Sequence, residues 1–517
     1  MGVAERVSPD ARSIADFIVD IEQRFPVDRW LVDGIEIWPL IRVQLYPKLW
    51  ELTFPSAQVE TRGLLRQVVA RIMRQASIQW RGRRAERADA DHAFSGARHA
   101  DILLVSDGIS QMRVADGWFD RFCDPIAALA EARGKSTITF TLRDIFNVPR
   151  VRRGRFLQPR LERLKLIARA RAFGPGNELS AVTQNVEELN DFLRRENSAL
   201  VFPPRLIGAQ ILALRLISRE LARELARSKV KAMFIVDYYN VEGMAACHAA
   251  HSLDIPSVDL QHGLAGEHHV AYGRWTRVPA HGYSVLPKIF WTWSAEDAAC
   301  IDAWAKRTSG AHHARTVGNV FAVGWHSGLV PRPANLTSRL RVLTERQDNR
   351  PRYLVALQTG LVSREVLYPI LMAIARTKGV ASWWFRLHPV QRKGEREELQ
   401  RLLYDVDSSV EIDEPTALPL LAILPEVDAL LTHSSSVVIE AASLGVPAIV
   451  WSRFGTDLFA HYLANGTAHA AFDGEHICAI LEQLQGKDKR NPDAGALQLA
   501  PLERALDDVL NKKLASV

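Results

Sequence analysis

Apolar and polar positions follow two regimes along the chain. In the first sixty residues Ile14, Phe17, Ile18, Ile21 and Phe25 recur at the three-to-four spacing of a helix buried on one face, and the tryptophan-rich VDGIEIWPLIRVQLYPKLWE follows them. From residue 101 the pattern changes to short unbroken apolar runs separated by helical stretches: DILLVSDG, STITFTL, KAMFIVD, SVDLQHG, KIFWTWS and ARTVGNV. Runs of that length bounded by turn residues predict strands buried on both faces, and their alternation with helices predicts a parallel sheet covered on both sides. The turn-rich VGWHSGLVPRPANLTSRL breaks the series, and a second begins with RYLVALQTG, SWWFRLHP, SSVEI, VDALLTHS and PAIVWS. The expectation is an α/β protein: a helical extension over 1–100, one doubly wound, Rossmann-like domain over 101–325, and another over 326–517.

Size agrees, because 517 residues exceed what one core ordinarily organises. A chain 47% hydrophobic and 24% charged is not a disordered one. No run approaches the roughly 20 apolar residues of a membrane-spanning helix, and the start lacks the apolar core of a secretory signal, so a cytoplasmic location is expected. Cys123, Cys247, Cys300 and Cys478 are scattered without a CxxC pair, which argues against a zinc site and a disulfide framework.

The net charge of +6 is unevenly spread. In residues 61–87, Leu64, Leu65, Val68, Val69, Ile72 and Met73 fall on one helical face while Arg66, Arg71 and Arg74 point away, and VRRGRFLQPRLERLKLIARARA, 151–172, repeats the composition. Such segments suit the anionic inner membrane surface, at about 1 kcal/mol per basic residue; the alternative is a core-packed helix with solvated arginines. No nucleic-acid partner is expected, since no helix-turn-helix, zinc finger or stacking motif accompanies the charge.

In sheets of this kind ligands bind beyond the carboxyl ends of the strands. There, LTHSSSVVIEAASLGVPAIV (431–450) sets Ser434, Ser435 and Ser436 at a helix start, where free N–H groups favour phosphate, with Glu440 placed to accept hydrogen bonds from ribose; serines are also ordinary helix caps. WWFRLHPVQR (383–392) ends its strand with Arg386, His388 and Pro389, suited to a nucleotide phosphate and to charge building on a leaving group. In DIPSVDLQHGLAGEHHVAYG (254–273), Gln261, His262 and Gly263 end a strand before His268 and His269. A histidine there suits a general base on an acceptor hydroxyl, and the histidine spacing fits no zinc pattern. Softer signals are Asp107 after DILLVS, Gly318 and Asn319 after ARTV, Gln358 after RYLVAL, and Asp237 after KAMFIV. Asp237 is a candidate base or covalent nucleophile in glycosyl chemistry.

With these residues in place the chain resembles the GT-B glycosyltransferases, in the bacterial surface-polysaccharide branch of capsule Kdo transferases, sialyl- and polysialyltransferases and polyol-phosphate polymerases. The likeness rests on Gln261-His262-Gly263, Val317-Gly318-Asn319, His388-Pro389, Ser434 to Ser436 with Glu440, and Gly445-Val446-Pro447, across roughly residues 100 to 480. The resemblance implies two Rossmann-like domains facing a cleft. It implies a nucleotide-sugar donor on the C-terminal domain, a CMP-sugar being favoured through His388, Pro389 and the serine loop, and Gly318, Asn319 and Gln358 on the donor side. It implies a glycan or lipid-linked acceptor on the N-terminal domain near Asp107, Gln261 and Gly263, with His262 or Asp237 as the catalytic group and no obligatory metal or cofactor. The acidic motif of the polysialyltransferases has no clear match. CDP-polyol phosphotransfer on a similar fold and a non-catalytic scaffold of a polysaccharide-assembly complex are the alternatives.

Overall fold

The computed structural model describes residues 11–53, 77–78, 80, 99–114, 117–143, 149–152, 154–174, 180–345, 350–388, 394–485 and 497–511. Arg66, Arg71, Arg74 and Pro389 lie outside these described residues.

The described chain forms two compact units, the first spanning residues 13–331 and taking in 499–511, the second spanning 332–498. The first carries β1 (Leu31–Val32) and β2 (Ile35–Glu36), which pair with each other, then β3 (Ile102–Ser106), the antiparallel hairpin β4 (Gln111–Val114) and β5 (Gly117–Asp120), β6 (Thr137–Thr141), β7 (Gly154–Phe156), β8 (Ala232–Ile235), β9 (Ser257–Leu260), β10 (Ile289–Thr292) and β11 (His313–Thr316). Seven of these make one sheet in the order β11-β10-β9-β8-β3-β6-β7, parallel at every pairing. Its central strands are buried along their length, as a sheet covered on both faces requires. The chain starts at β3, builds outward through β6 and β7, and returns to the other side of β3 with β8. The strand order therefore reverses between β3 and β8.

The second unit repeats the plan with β12 (Arg352–Ala356), β13 (Ser382–Arg386), β14 (Ala429–Thr432), β15 (Ala448–Val450) and β16 (Ala468–Ala470) in the parallel order β13-β12-β14-β15-β16. Here the reversal falls between β12 and β14. Both units are thus doubly wound α/β sheets. The division lies at 331/332 instead of 325/326, and the helix Leu499–Leu510, expected with the second domain, belongs to the first unit. Ion pairs explain that placement: Arg133 bonds Glu503 and Asp507, both at 3.0 Å, and Arg315 bonds Asp508 at 2.6 Å.

The N-terminal extension, too, is part of the first unit. Glu22 and Arg42, both buried, form a 3.0 Å ion pair. Glu22 also accepts from the Trp38 indole at 2.9 Å and from the backbone and hydroxyl of Thr276, both at 2.6 Å. The Arg42 guanidinium stacks 4.0 Å from the Trp275 ring and donates to the carbonyls of Val270, Gly273 and Arg274. Glu36 accepts from the Ser284 hydroxyl at 2.6 Å. The extension therefore clamps the long connection between β9 and β10, which begins at the Gln261-His262-Gly263 strand end.

His312 braces the same connection. Its Nδ1 donates to the Pro287 carbonyl at 2.7 Å and its Nε2 accepts from the Tyr283 N–H at 3.0 Å, which fixes the neutral ring, and burial pushes its pKa down to about 4. An unfolded histidine takes up its proton near pH 6.5, so the unfolded chain binds the extra proton and the contribution of His312 is lost as pH falls from about 6.5 toward about 4. We expect the destabilisation caused by His312→Gln, read by urea unfolding, to be largest at neutral pH and to shrink toward pH 4; a difference that stays constant or widens would rule this out.

The 25-residue helix Pro204–Ser228 lies in a segment, Ser198–Ser228, long and apolar enough to cross a membrane by length and composition. In the fold, Ile207, Ile211, Leu214, Ile217, Leu221 and Leu225 are buried, and the helix packs against the helices Gln158–Phe173 and Val241–His251. The basic stretch 151–172 divides into β7 and the helix Gln158–Phe173. Arg155 bonds Glu224 at 2.6 Å, Arg160 bonds Glu220 at 2.5 Å, and Arg152 pairs with Glu131, so part of the charge read as membrane-directed is neutralised within the fold.

Candidate functional site

In the first unit the reversal between β3 and β8 is where the physics of a doubly wound sheet places a ligand. Asp237 follows β8 at this point with φ +61°, a left-handed conformation that aspartate tolerates better than most residues. Local structure explains it. Asn240 caps the helix Val241–His251, its side chain accepting from the Gly243 N–H at 2.9 Å and donating to the Asp237 carbonyl at 2.6 Å. A Cβ on Gly243 would fall 2.6 Å from the Tyr238 carbonyl oxygen, so glycine permits the helix to start this close to the strand end. Arg143, beyond β6, donates to Asp237 Oδ2 at 2.7 Å and orients the carboxylate, while Oδ1 makes no hydrogen bond among the described residues.

His262 follows β9. Its Nε2 lies 3.1 Å from the Tyr239 hydroxyl, its ring stacks on Tyr239 at 5.7 Å, and its buried Nδ1 has no hydrogen-bond partner among the described residues. Tyr239 stands two residues after Asp237 and holds His262 beside this strand end. Gln261 is buried and fully engaged: its amide donates to Gly263 O and Asp297 and accepts from the Trp293 N–H, so it frames the turn and is not offered to a ligand. Gly263 has open space at its Cβ position. Asp107 accepts from the Ser110 N–H at 2.9 Å and the Ile109 N–H at 3.0 Å, which makes it a turn-forming residue beside the reversal. Desolvation, then His262 and Arg42 nearby, push His269 down to about 3, so it is neutral and no reservoir for a proton at neutral pH. Among the described residues no group of three or more His, Cys, Asp or Glu could hold a metal ion.

In the second unit the strand ends of β12, β13 and β14 bring three of the anticipated segments together. Gln358 Nε2 donates to Ser434 Oγ at 2.7 Å across the reversal between β12 and β14, and Gln358 Oε1 is buried without a hydrogen-bond partner among the described residues. Exposed His388 lies with Nδ1 3.5 Å from the hydroxyl of Thr359, the next residue after Gln358. His433, which sequence reasoning passed over, is buried, holds its Nδ1 3.0 Å from Ser434 Oγ, and is pushed down to about 4 by desolvation. It therefore meets Ser434 as a neutral ring. A Cβ on Gly455 would fall 2.0 Å from the His433 carbonyl oxygen, a close approach that ties this strand end to the helix Arg453–Leu458.

Other expectations land elsewhere. The helix after the serines, Val437–Ser443, has seven residues, so its dipole is small; Ser436 caps it without a side-chain hydrogen bond, and Glu440 sits half-buried one turn in. Arg386 does not project as a strand-end cation: its guanidinium donates to the carbonyls of Pro415 and Leu418 at 2.5 and 2.6 Å, closing the helix Asp413–Ala417. Gly318 and Asn319 belong to the first unit, where Asn319 is buried and caps the helix Val320–His326 by accepting from Phe321 and Ala322. Of the residues missed, Arg143 and His433 stand two and one residues beyond a strand, and Tyr239 follows the singled-out Asp237 by two.

No protein-family model matches the chain, and no curated protein matches it. Similar solved structures include a UDP-GlcNAc 2-epimerase from Neisseria meningitidis bound to UDP-GlcNAc, at 15% identity over 80% of this chain and 99% of that one, with a TM-score of 0.46. The UDP-GlcNAc 2-epimerase of Methanocaldococcus jannaschii in complex with UDP-GlcNAc and UDP is 13% identical over 78% and 98%, with a TM-score of 0.45. A calicheamicin glycosyltransferase is 12% identical over 80% and 99%, with a TM-score of 0.43.

Proposed function

We propose that this chain is a glycosyltransferase: the second unit binds a nucleotide-activated sugar, with a CMP-sugar favoured, and the first binds the glycan hydroxyl that receives it. The observation that carries the reading is the Gln358–Ser434 bridge across the reversal of the second sheet, with His388 beside it. Gln358 Oε1, without a hydrogen bond among the described residues, is an acceptor for an N–H or O–H of the nucleotide. Ser434 and Ser435 hydroxyls serve the phosphate, and His388, protonated or donating through a ring N–H, stabilises charge on the leaving phosphate.

In the first unit Asp237 is the group that takes the proton of the acceptor hydroxyl. Arg143 fixes its orientation, and its second oxygen is available among the described residues. His262 supports the site by holding the Tyr239 hydroxyl.

The test is thermal unfolding with CMP, CDP, UDP, GDP and ADP, because a ligand that binds only the native state stabilises it by about 2.7 kcal/mol at a hundred times its Kd. CMP should raise the transition most, and Ser434→Ala should diminish the shift. A preference for UDP or GDP would remove the CMP assignment, and no response to any of the five would remove the transferase reading.

A further inference from the structure

A cavity of about 360 Å³ opens inside the first unit, beside the reversal of its sheet, at the small end of the volumes that ligand sites occupy. The extension helix Trp38–Thr53 supplies one wall through Leu40, Val43, Gln44 and Pro47; the others come from the starts of the helices Gln158–Phe173 and Val241–His251, from the helix Pro204–Ser228, and from Tyr239 and Arg143.

Its charges are balanced from within. Lys165 is held between Glu162, at 2.7 Å, and Glu242, and Arg143 is paired with Asp237, so the lining presents no excess of cations to an anion. What it presents is amides. Gln44 Nε2 donates to Leu40 O at 2.9 Å and to Gln210 Oε1 at 3.0 Å, which leaves Gln44 Oε1 as an acceptor and Gln210 Nε2 as a donor without hydrogen bonds among the described residues. Gln158, 6% exposed, lines the same space, and its amide has no hydrogen bond among the described residues. Opposed donors and acceptors beside apolar Leu40, Val43 and Pro47 and one tyrosine ring match a sugar, whose hydroxyls both donate and accept and whose C–H face packs on apolar surface.

We infer that this cavity binds an uncharged, polyhydroxylated ring, and that the extension helix is the element that selects it. Only the naming of that ring as the acceptor rests on the transferase reading. The cavity shares Arg143 with Asp237, so a ring seated there has the candidate base at its edge.

The experiment is saturation-transfer NMR on the full chain with glucose, galactose, N-acetylglucosamine and glucuronate at equal concentrations. At least one neutral sugar should receive saturation and glucuronate should compete poorly. Val43→Trp, which fills the cavity, should abolish the signal, and Gln210→Leu, which removes the free donor together with the acceptor of Gln44 at little change of volume, should weaken binding about tenfold while the chain stays folded by urea unfolding. Absence of saturation on every neutral sugar, dominance of glucuronate, or a signal that survives both substitutions would overturn the inference. The nucleotide panel reads the transferase proposal separately: a normal nucleotide shift without sugar binding rejects only the cavity, and sugar binding without a nucleotide shift rejects only the transferase.

Discussion

Asp237→Asn should lower turnover by about 10²- to 10⁴-fold, the contribution expected of a positioned general base, while leaving nucleotide-induced stabilisation intact. Asparagine keeps the size of the side chain and tolerates the left-handed backbone at φ +61°, so the strand end and the Asn240 cap should persist. The Arg143 partner is 39% exposed, so losing its counter-charge costs little stability at a solvated site. The measurement is release of the nucleotide from whichever donor the unfolding panel selects. His262→Ala should reduce turnover less, because His262 holds the Tyr239 hydroxyl and is not the group assigned the acceptor proton. Unchanged turnover in Asp237→Asn would transfer the base to another residue.

The largest stability effect is expected at Arg42. Removing one member of a buried ion pair leaves the other charge uncompensated, at a cost of about 3–5 kcal/mol, and Arg42→Ala strands Glu22 in this way. Swapping both partners for apolar residues should not restore stability, although it often does for isolated buried pairs. Here Arg42 also satisfies the Gly273 and Arg274 carbonyls, and Glu22 also satisfies Trp38 and Thr276, so the double change leaves backbone groups without hydrogen bonds. Urea unfolding of the single and double variants measures both statements. A single variant that loses less than about 1 kcal/mol would show the pair to be solvated in solution.

The sheets were legible because their strands are dense apolar runs, and the runs read from DILLVS, KAMFIV, RYLVAL and VDALLT became β3, β8, β12 and β14. Strand order was not legible, since a run carries no mark of its neighbours; the reversals beside Asp237 and Ser434 emerge only from long-range pairing. The same limit governs the charges. Arg386 reads as a cation poised at a strand end, but the carbonyls that engage it stand about thirty residues on. Glu22 and Arg42 carry no mark of burial in the sequence, and their burial follows from a loop more than two hundred residues away. The short hairpin of β4 and β5 escaped notice because MRV and WF offer too few apolar positions to define a period. His433 was hidden by its neighbours, being the one residue between a legible strand and a legible serine run.

The helix Leu499–Leu510, held to the first unit by Arg133 and Arg315, also bears on how the chain is made. Domains tend to fold as they leave the ribosome, earliest first. In this chain the second unit has its sequence once residue 498 has emerged, whereas the first keeps an open seat until Leu499–Leu510 has followed it. The surface around Arg133 and Arg315 stays without its cover through the whole synthesis of the second unit.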